Sequence, residues 1–315
     1  MKRVNKAYQA AWVGAAFYLT QSPGYLKISG ATRREYLQRQ TTNDLGLLSL
    51  ARALPSLLTS SAGRVLEVFT LLDQGEELGL VTQPGHGPGL GAYFRKHRFF
   101  NDQVEITDQS PEWTQIEING PEGAEALARL GFVGVPGLDE VMQTSWQGQP
   151  VIALGEEGFT TALKFRVLAP AAIGEQISKE FADLEQLDLA TRRVLRVEAK
   201  LAGDPEFNGE YTPFEIGLGR LVSAEKGCYT GQEVLARQVT YDKITRQLVQ
   251  LVAPEPMGSK SIVYAEGKAV GQVTTVAVSP RLGPIALAVL RRPFDEDSAH
   301  LEIRRKDGLL SVTVN

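Results

Sequence analysis

Apolar and polar positions follow one layout twice along this chain. In residues 25–40, YLKISGATRREYLQRQ, and 114–130, TQIEINGPEGAEALARL, a short alternating run ends at a glycine (Gly30 or Gly120). Apolar positions at three- and four-residue spacing follow in both. Alternation sends side chains to opposite faces of a strand, and the wider spacing gathers them on one face of a helix. Each copy therefore predicts strand, glycine joint, helix. Beyond the first copy, strands are expected at 63–72, 77–81 and 102–108, with a helix at 90–98. Beyond the second, strands are expected at 149–155 and 159–170 and helices at 173–181 and 188–197, before an irregular Gly/Pro-rich stretch. From residue 245 the texture changes to short alternating strands broken by Gly, Pro and Asp turns, including an exposed hairpin turn at RRKDG, 304–308. That texture predicts a small closed β-barrel of about 70 residues. The expected fold class is α+β: two pseudo-repeated, ferredoxin-like lobes followed by the barrel, with coincidental βα patterning as the alternative to a true repeat. The expected domains are 1–243, with lobes at about 20–110 and 111–185 plus the stretch 186–243, and then 244–315.

Composition narrows the function. The 315 residues have 43% hydrophobic and 22% charged side chains, which is ordinary for a globular protein. The net charge of -4 argues against a surface built throughout for nucleic acid, and no stable nucleic-acid binding is expected. The first residues are basic and then moderately apolar, and read as part of the mature chain. No apolar run reaches the roughly 18 residues of a membrane span. The expected location is cytoplasmic, without membrane attachment.

The one cysteine, Cys228, lies in AEKGCYTGQEVLARQV, residues 224–239. Thr230-x-x-Glu233 reads as a capping box opening a helix in which Glu233 and Arg237 pair one turn apart. Cys228 would then sit two residues before the cap, near Lys226, and the helix dipole and the ammonium would together favour its thiolate. Gly227 and Gly231 let the backbone turn tightly. The plainer reading is a helix start whose cysteine fills space.

The stretch KGCYTGQEVLAR, 226–237, resembles the signature of the YgfZ-type folate-binding proteins. These are a branch of the glycine-cleavage T-protein superfamily linked to iron–sulfur cluster assembly and tRNA modification. YLKISGATRREYLQRQTTNDL (25–45), SAGRVLEVFTLL (61–72), GEEGF (155–159) and LRVEAKLAGDPEFNGEYTPFEIGL (195–218) are similar to other parts of that superfamily. The resemblance implies two folate-binding lobes and a terminal barrel, with tetrahydrofolate or a one-carbon derivative as cofactor. It implies functional roles for Lys226, Gly227, Cys228, Tyr229, Gly231, Gln232, Glu233 and Arg237. Cys228 and Lys226 would carry the chemistry, and Arg196, Glu215 and Arg237 would contact folate. Partners would be folate and iron–sulfur assembly or client proteins. The chain departs from the transferases of the superfamily where their paired aspartates are matched by Glu67 and Val68. It departs again where a pterin-binding glutamate is matched by Thr160, with Glu156 and Glu157 nearby. Lys200 stands where a glycine is usual. Aminomethyl transfer with Glu67 as the acid is one alternative, and a non-catalytic scaffold with a docking barrel is another.

Other chemistry has little support in the sequence. His86, His97 and His300 lie far apart and no Cys-x-x-Cys occurs, so no metal site is expected. One cysteine falls short of the about four ligands that an iron–sulfur cluster takes. PGHGPGLGAYFRKHR, 84–98, is a glycine-rich loop before a basic helix but lacks the P-loop spacing. It reads as a flexible loop or a point of anion contact. No G-x-S-x-G elbow is present, so hydrolase chemistry has no support.

Overall fold

The computed structural model describes residues 2–296, 300–306 and 308–315. Asp307, in the turn expected at 304–308, lies outside the described residues. The chain divides into two compact units. One comprises Met1–Thr59, Glu67–Asp188 and Leu221–Thr230, and the other Ser60–Leu66, Leu189–Arg220 and Gly231–Asn315.

The first unit opens with α1 (Lys2–Val13), β1 (Ala16–Leu19), β2 (Gly24–Ser29), α2 (Arg33–Gln40) and β3 (Leu54–Thr59). It continues through β4 (Val65–Asp73), β5 (Leu78–Thr82), α3 (Gly87–Lys96) and β6 (Glu105–Asp108). The second half has β7 (Trp113–Asn119), α4 (Gly123–Arg129), β8 (Val141–Trp146), β9 (Gln149–Glu156), β10 (Lys164–Pro170), α5 (Gly174–Glu180) and β11 (Glu185–Gln186). Strands β3-β4-β5-β2-β6 form one sheet and β11-β1-β7-β10-β9-β8 the other. Helices α2 and α3 bury Tyr36, Leu37, Leu90 and Phe94 against Ile28, Phe69 and Leu71 of the five-stranded sheet. Leu127 and Ile177 of α4 and α5 pack on Ile116, Ile118 and Val167 of the six-stranded sheet. The opposite faces meet through Tyr25, Leu72 and Val81 against Ile152, Leu154 and Leu168. Burial on both faces explains why several strands read as apolar runs instead of clean alternation.

The repeat expected from the sequence is present at its joint. Gly30 and Gly120 have φ of +106° and +109°, in the left-handed half of backbone space. A Cβ would fall 2.1 Å from Gln103 O at Gly30 and 2.4 Å from Gly14 O at Gly120. Helices α2 and α4 each begin three residues later. The structure also adds elements the pattern did not predict. Strand β1 has four residues and a burial pattern without alternation, and it pairs with β7 and β11. Strands β3, β8 and β11 and helix α1 were likewise not expected. Helix α3 starts at Gly87, earlier than the expected 90, because its first turn is Gly-Pro-Gly, poor helix-forming residues tolerated at an amino terminus. Residues 159–163, expected as strand, lie before β10 begins at Lys164.

The second unit contains α6 (Leu189–Glu198), α7 (Gln232–Thr240), β12 (Arg246–Val252), β13 (Ile262–Ala265), β14 (Lys268–Ser279), β15 (Gly283–Arg291), β16 (Leu301–Arg305) and β17 (Gly308–Val314). The strands close as β12-β15-β14-β13-β16-β17. Ala286, Ala288 and Leu290 fill the barrel core, while Ile285, Leu287 and Val289 on the other face are also buried, with α6 packed against β14 and β15. The closed barrel and the two βα lobes are the α+β architecture expected from the sequence.

Candidate functional site

Cys228 is exposed, on an irregular loop at residues 222–230 that precedes α7. The loop is seated in the first unit by buried polar contacts. Thr42 Oγ1 donates to Leu221 O at 2.7 Å and accepts from Leu57 N, while Ser223 N donates to Thr42 O at 3.0 Å. Thr59 Oγ1 donates to Thr230 O at 2.6 Å. Between these, Lys226 is 6% exposed and donates from Nζ to the carbonyls of Thr41 and Asn43, each at 2.7 Å. Burial pulls the Lys226 pKa down to about 8, and the charge of Asp44 opposes the fall. The Gly46 N–H and the Gln38 amide in turn hold the Asp44 carboxyl below its ordinary range. The Tyr229 ring is buried, with its centroid 5.3 Å from Lys226 Nζ. Lys226 and Tyr229 thus seat the loop on the Thr41–Asp44 turn, while Gly227 and Cys228 stay exposed.

The expected capping box is absent. The residue before α7 is Gly231, with φ +85°, and no side chain caps the helix. A Cβ at Gly231 would lie 2.4 Å from Ser60 O, so the chain turns where only glycine fits and the cap position moves one residue past Thr230. Glu233 instead pairs with Arg237 at 2.5 Å on the exposed face of α7. Cys228 consequently lies three residues before the cap, not two.

The residues expected to contact folate occupy different surroundings in the second unit. Arg196 is bound to Glu206 at 3.0 Å, to Leu201 O at 2.8 Å and to Thr275 Oγ1 at 2.9 Å. Glu215 is buried and accepts from Thr212 N, Arg64 and Arg246 at 2.8–3.1 Å. Arg237 is exposed, held only by its surface pair with Glu233 among the contacts described.

The first unit holds two polar groupings that spacing did not reveal. Glu156, Lys164, Arg166 and Glu117 form a charge cluster on one sheet face. Arg166 grips Glu156 through Nε at 2.7 Å and a second nitrogen at 3.0 Å, and Lys164 Nζ lies 2.9 Å from Glu156. Burial alone would raise the Glu156 pKa, but the two cations outweigh it and hold it at about 2. On the same face of β7, Asn119 is 2% exposed, and among the described residues neither its Nδ2 nor its Oδ1, nor Thr20 Oγ1, has a hydrogen-bond partner. The second grouping is Glu67 of β4, whose Oε2 lies 2.7 Å from His86 Nδ1. Both groupings join residues from separate strands or from a strand and a helix start, so only the fold brings them together. Thr160 is partly buried and Glu157 is exposed. Among the described residues, no group of His, Cys, Asp and Glu could hold a metal ion, and no helix is long and apolar enough to cross a membrane.

Comparison with known proteins agrees with this architecture. Residues 4–226 match the model of the GCVT N-terminal domain, and residues 246–315 that of the glycine cleavage T-protein C-terminal barrel domain. An aminomethyltransferase of Moorella thermoacetica is 30% identical over 85% of this chain and 76% of its own length. One of Bacillus subtilis is 26% identical over 99% and 89%. A protein of Arabidopsis thaliana named as a chloroplastic transferase is 25% identical over 80% of this chain, which spans only 59% of that relative. The crystal structure of the glycine cleavage system aminomethyltransferase T from Bartonella henselae superposes with a TM-score of 0.87 at 19% identity, covering 99% of this chain and 88% of that one, and so shares its fold. The chain belongs to the glycine-cleavage T-protein family of aminomethyltransferase-like proteins.

Proposed function

We propose that this protein is a cytoplasmic, tetrahydrofolate-binding member of the YgfZ-type branch of that family. Its role would be maintenance of iron–sulfur enzymes, including those that thiolate tRNA, through Cys228. The aminomethyltransferase family uses tetrahydrofolate. A reduced folate has a flat heterocycle with an amide-like edge and an anionic tail, and it needs complementary donors, acceptors and cations. The unpaired, buried amide of Asn119 fits such an edge, since a bound heterocycle would satisfy atoms that otherwise carry a desolvation penalty. Arg237, in the second unit, is exposed and pairs on the surface with Glu233, and its role toward folate is a separate proposal. Arg196 and Glu215 would have to exchange buried partners to reach a ligand. Folate binding is assigned to residues 1–243 and a separate barrel to 244–315.

The observation that carries the reading is the seating of the motif loop. A buried ammonium fixes the loop to the Thr41–Asp44 turn and leaves the one thiol of the chain exposed. A thiol placed this way suits transient chemistry with a client protein or cluster better than packing. The test is genetic. Cells lacking the protein should lose iron–sulfur enzyme and tRNA-thiolation activity under oxidative stress, and Cys228→Ser should fail to restore them. Full restoration by Cys228→Ser would reduce the protein to a scaffold.

A second reading, folate-dependent aminomethyl transfer, is favoured by the buried Glu67 carboxylate and its His86 partner. Turnover with tetrahydrofolate and a carrier-bound aminomethyl donor distinguishes it, since the first reading expects none.

A further inference from the structure

The last turn of α3 and the loop that leaves it, all within the first unit, present cations and rings that the packing does not use. The chain has 37 acidic and 33 basic residues, yet none of positions 78–101 is Asp or Glu. Phe94 turns into the core, while Arg95, Lys96, His97, Arg98, Phe99 and Phe100 are all exposed. Arg95 donates to Ile106 O at 3.1 Å, and Arg98 donates to Arg95 O at 3.3 Å and to Val104 O at 3.0 Å. These partners are neutral carbonyls. Among the described residues, none of Arg95, Lys96 and Arg98 has a carboxylate partner, so their charge stays uncompensated.

The loop itself is braced. Gln103 N donates to Thr32 Oγ1 at 2.8 Å and Thr32 N to Gln103 O at 3.3 Å, which ties the loop to the start of α2. Asp102, its side chain almost wholly buried, accepts from Phe99 N at 2.8 Å and pairs with Arg39 of α2 at 2.5 Å. The Arg39 guanidinium lies 5.7 Å from the centroid of the Phe99 ring. His97 lies flat on Tyr93, with ring centroids 3.9 Å apart and planes at 20°. Phe99 is nevertheless 62% exposed and Phe100 completely so. Cations in a last turn offset the helix dipole, which accounts for Arg95 and Lys96. It does not account for two bare phenylalanines on a fixed loop, an apolar surface of the kind that marks an interaction site. The acids on these elements are Asp102, neutralised by Arg39, and the exposed Glu35 and Glu105.

We propose that the end of α3 and residues 97–103 form a site for single-stranded nucleic acid. Arg95, Lys96 and Arg98 meet its phosphates, and unstacked bases lie on Phe99 and Phe100. The inference is independent of the folate and Cys228 readings. Uncompensated cations suit a polyanion, and exposed rings suit bases freed from a duplex. Along 93–100 rings and cations are interleaved, as bases and phosphates are along a strand. A protein partner of ordinary size covers about 800 Å² of each surface, more apolar contact than two rings supply. A single strand needs only a ring for a base and a cation for a phosphate. The net charge of -4 keeps the hold weak and local, short of the stable complex that the composition argues against.

The experiment is fluorescence anisotropy of labelled oligouridine and oligothymidine, each of about 12 nucleotides, titrated with the full chain at several salt concentrations. Both strands are expected to bind with a Kd of about 1–100 μM, and the tighter of the two identifies RNA or DNA as the source. Three phosphate contacts predict a slope of log K against log salt of about -2, and Lys96→Ala should reduce its size by about 0.7. Phe99→Ala and Phe100→Ala should each weaken binding by about 5- to 150-fold and leave the slope unchanged. A duplex of the same length should bind more weakly than either strand, because its bases are already stacked. Phe100 is fully exposed, so its variant should melt with the wild type, and a loss of binding there is a loss of contact. No binding by the wild type at about 50 mM salt, or binding that both phenylalanine variants retain, overturns the proposal. Displacement of the strands by an equal charge of polyglutamate reassigns the face to an acidic protein. Capture on phosphatidylserine vesicles without any oligonucleotide binding reassigns it to a lipid surface, and either result overturns the proposal.

Discussion

Replacing Lys226 by Met removes the ammonium and keeps most of the aliphatic volume. In the structure that ammonium donates to two carbonyls, Thr41 O and Asn43 O, both at 2.7 Å, from a side chain that is almost wholly buried. A hydrogen bond to a charged group contributes about 1.5–3 kcal/mol, and a buried acceptor left without its donor costs about 1–3 kcal/mol. The two losses overlap, so Lys226→Met is expected to destabilise the first unit by about 3 kcal/mol at pH 7. The pH dependence is more diagnostic. Burial lowers the Lys226 pKa from 10.5 to about 8, so between these values the unfolded chain holds a proton that the folded chain has released. Stability of the wild type therefore rises with pH across that interval relative to a variant that cannot titrate there. At 1.36 kcal/mol per pH unit the rise amounts to at most roughly 3 kcal/mol. Urea unfolding of both proteins at pH 7, 9 and 10.5 gives the difference directly, because other titrating groups are common to both. A gap that stays constant or narrows above pH 8 would refute the buried-ammonium account. The same variant should alkylate faster at Cys228, since its loop has lost an anchor.

Other residues give sharp expectations. Glu156 is held at about 2, against an ordinary 4.5, by Arg166 and Lys164. Its contribution is present above pH 4.5 and is lost as pH falls toward 2, at most roughly 3 kcal/mol, and in acid unfolding Glu156→Gln should lack that slope. Gly231→Ala should cost more than about 1–2 kcal/mol, because the position needs positive φ and a Cβ there meets Ser60 O; a thermal melt unchanged from wild type would contradict the local geometry. Glu215→Gln, which weakens contacts to Arg64 and Arg246, should lower stability by about 3 kcal/mol, and any loss of folate affinity should track that unfolding instead of exceeding it.

Much of the fold was legible because its signals are local. The joints at Gly30 and Gly120 combine strand periodicity, glycine and helix periodicity within 17 residues, and alternating strands separated by turn residues announce the barrel. Strand β1 was not legible: four residues buried on both faces carry no alternation, and its partners β7 and β11 are distant in sequence. At the site, the sequence placed Cys228 in a glycine turn before a helix, and the structure adds that the thiol is exposed. The true cap did not follow from the motif, because a Ser60 carbonyl, far away in sequence, decides that Gly231 and not Thr230 ends the turn. Lys226 was expected to act on the thiol through its charge, and the structure uses that charge to seat the loop on carbonyls 183–185 residues away. The Glu67–His86 pair escaped detection because nothing in the spacing of 67 and 86 announces a hydrogen bond, although Glu67 itself stood out as a departure from paired aspartates.

The most direct measurement is calorimetric titration of tetrahydrofolate into the wild type and Cys228→Ser. Both are expected to bind with the same affinity, because the exposed thiol belongs to a later step than folate capture. Failure of both proteins to bind would contradict the folate assignment at its base.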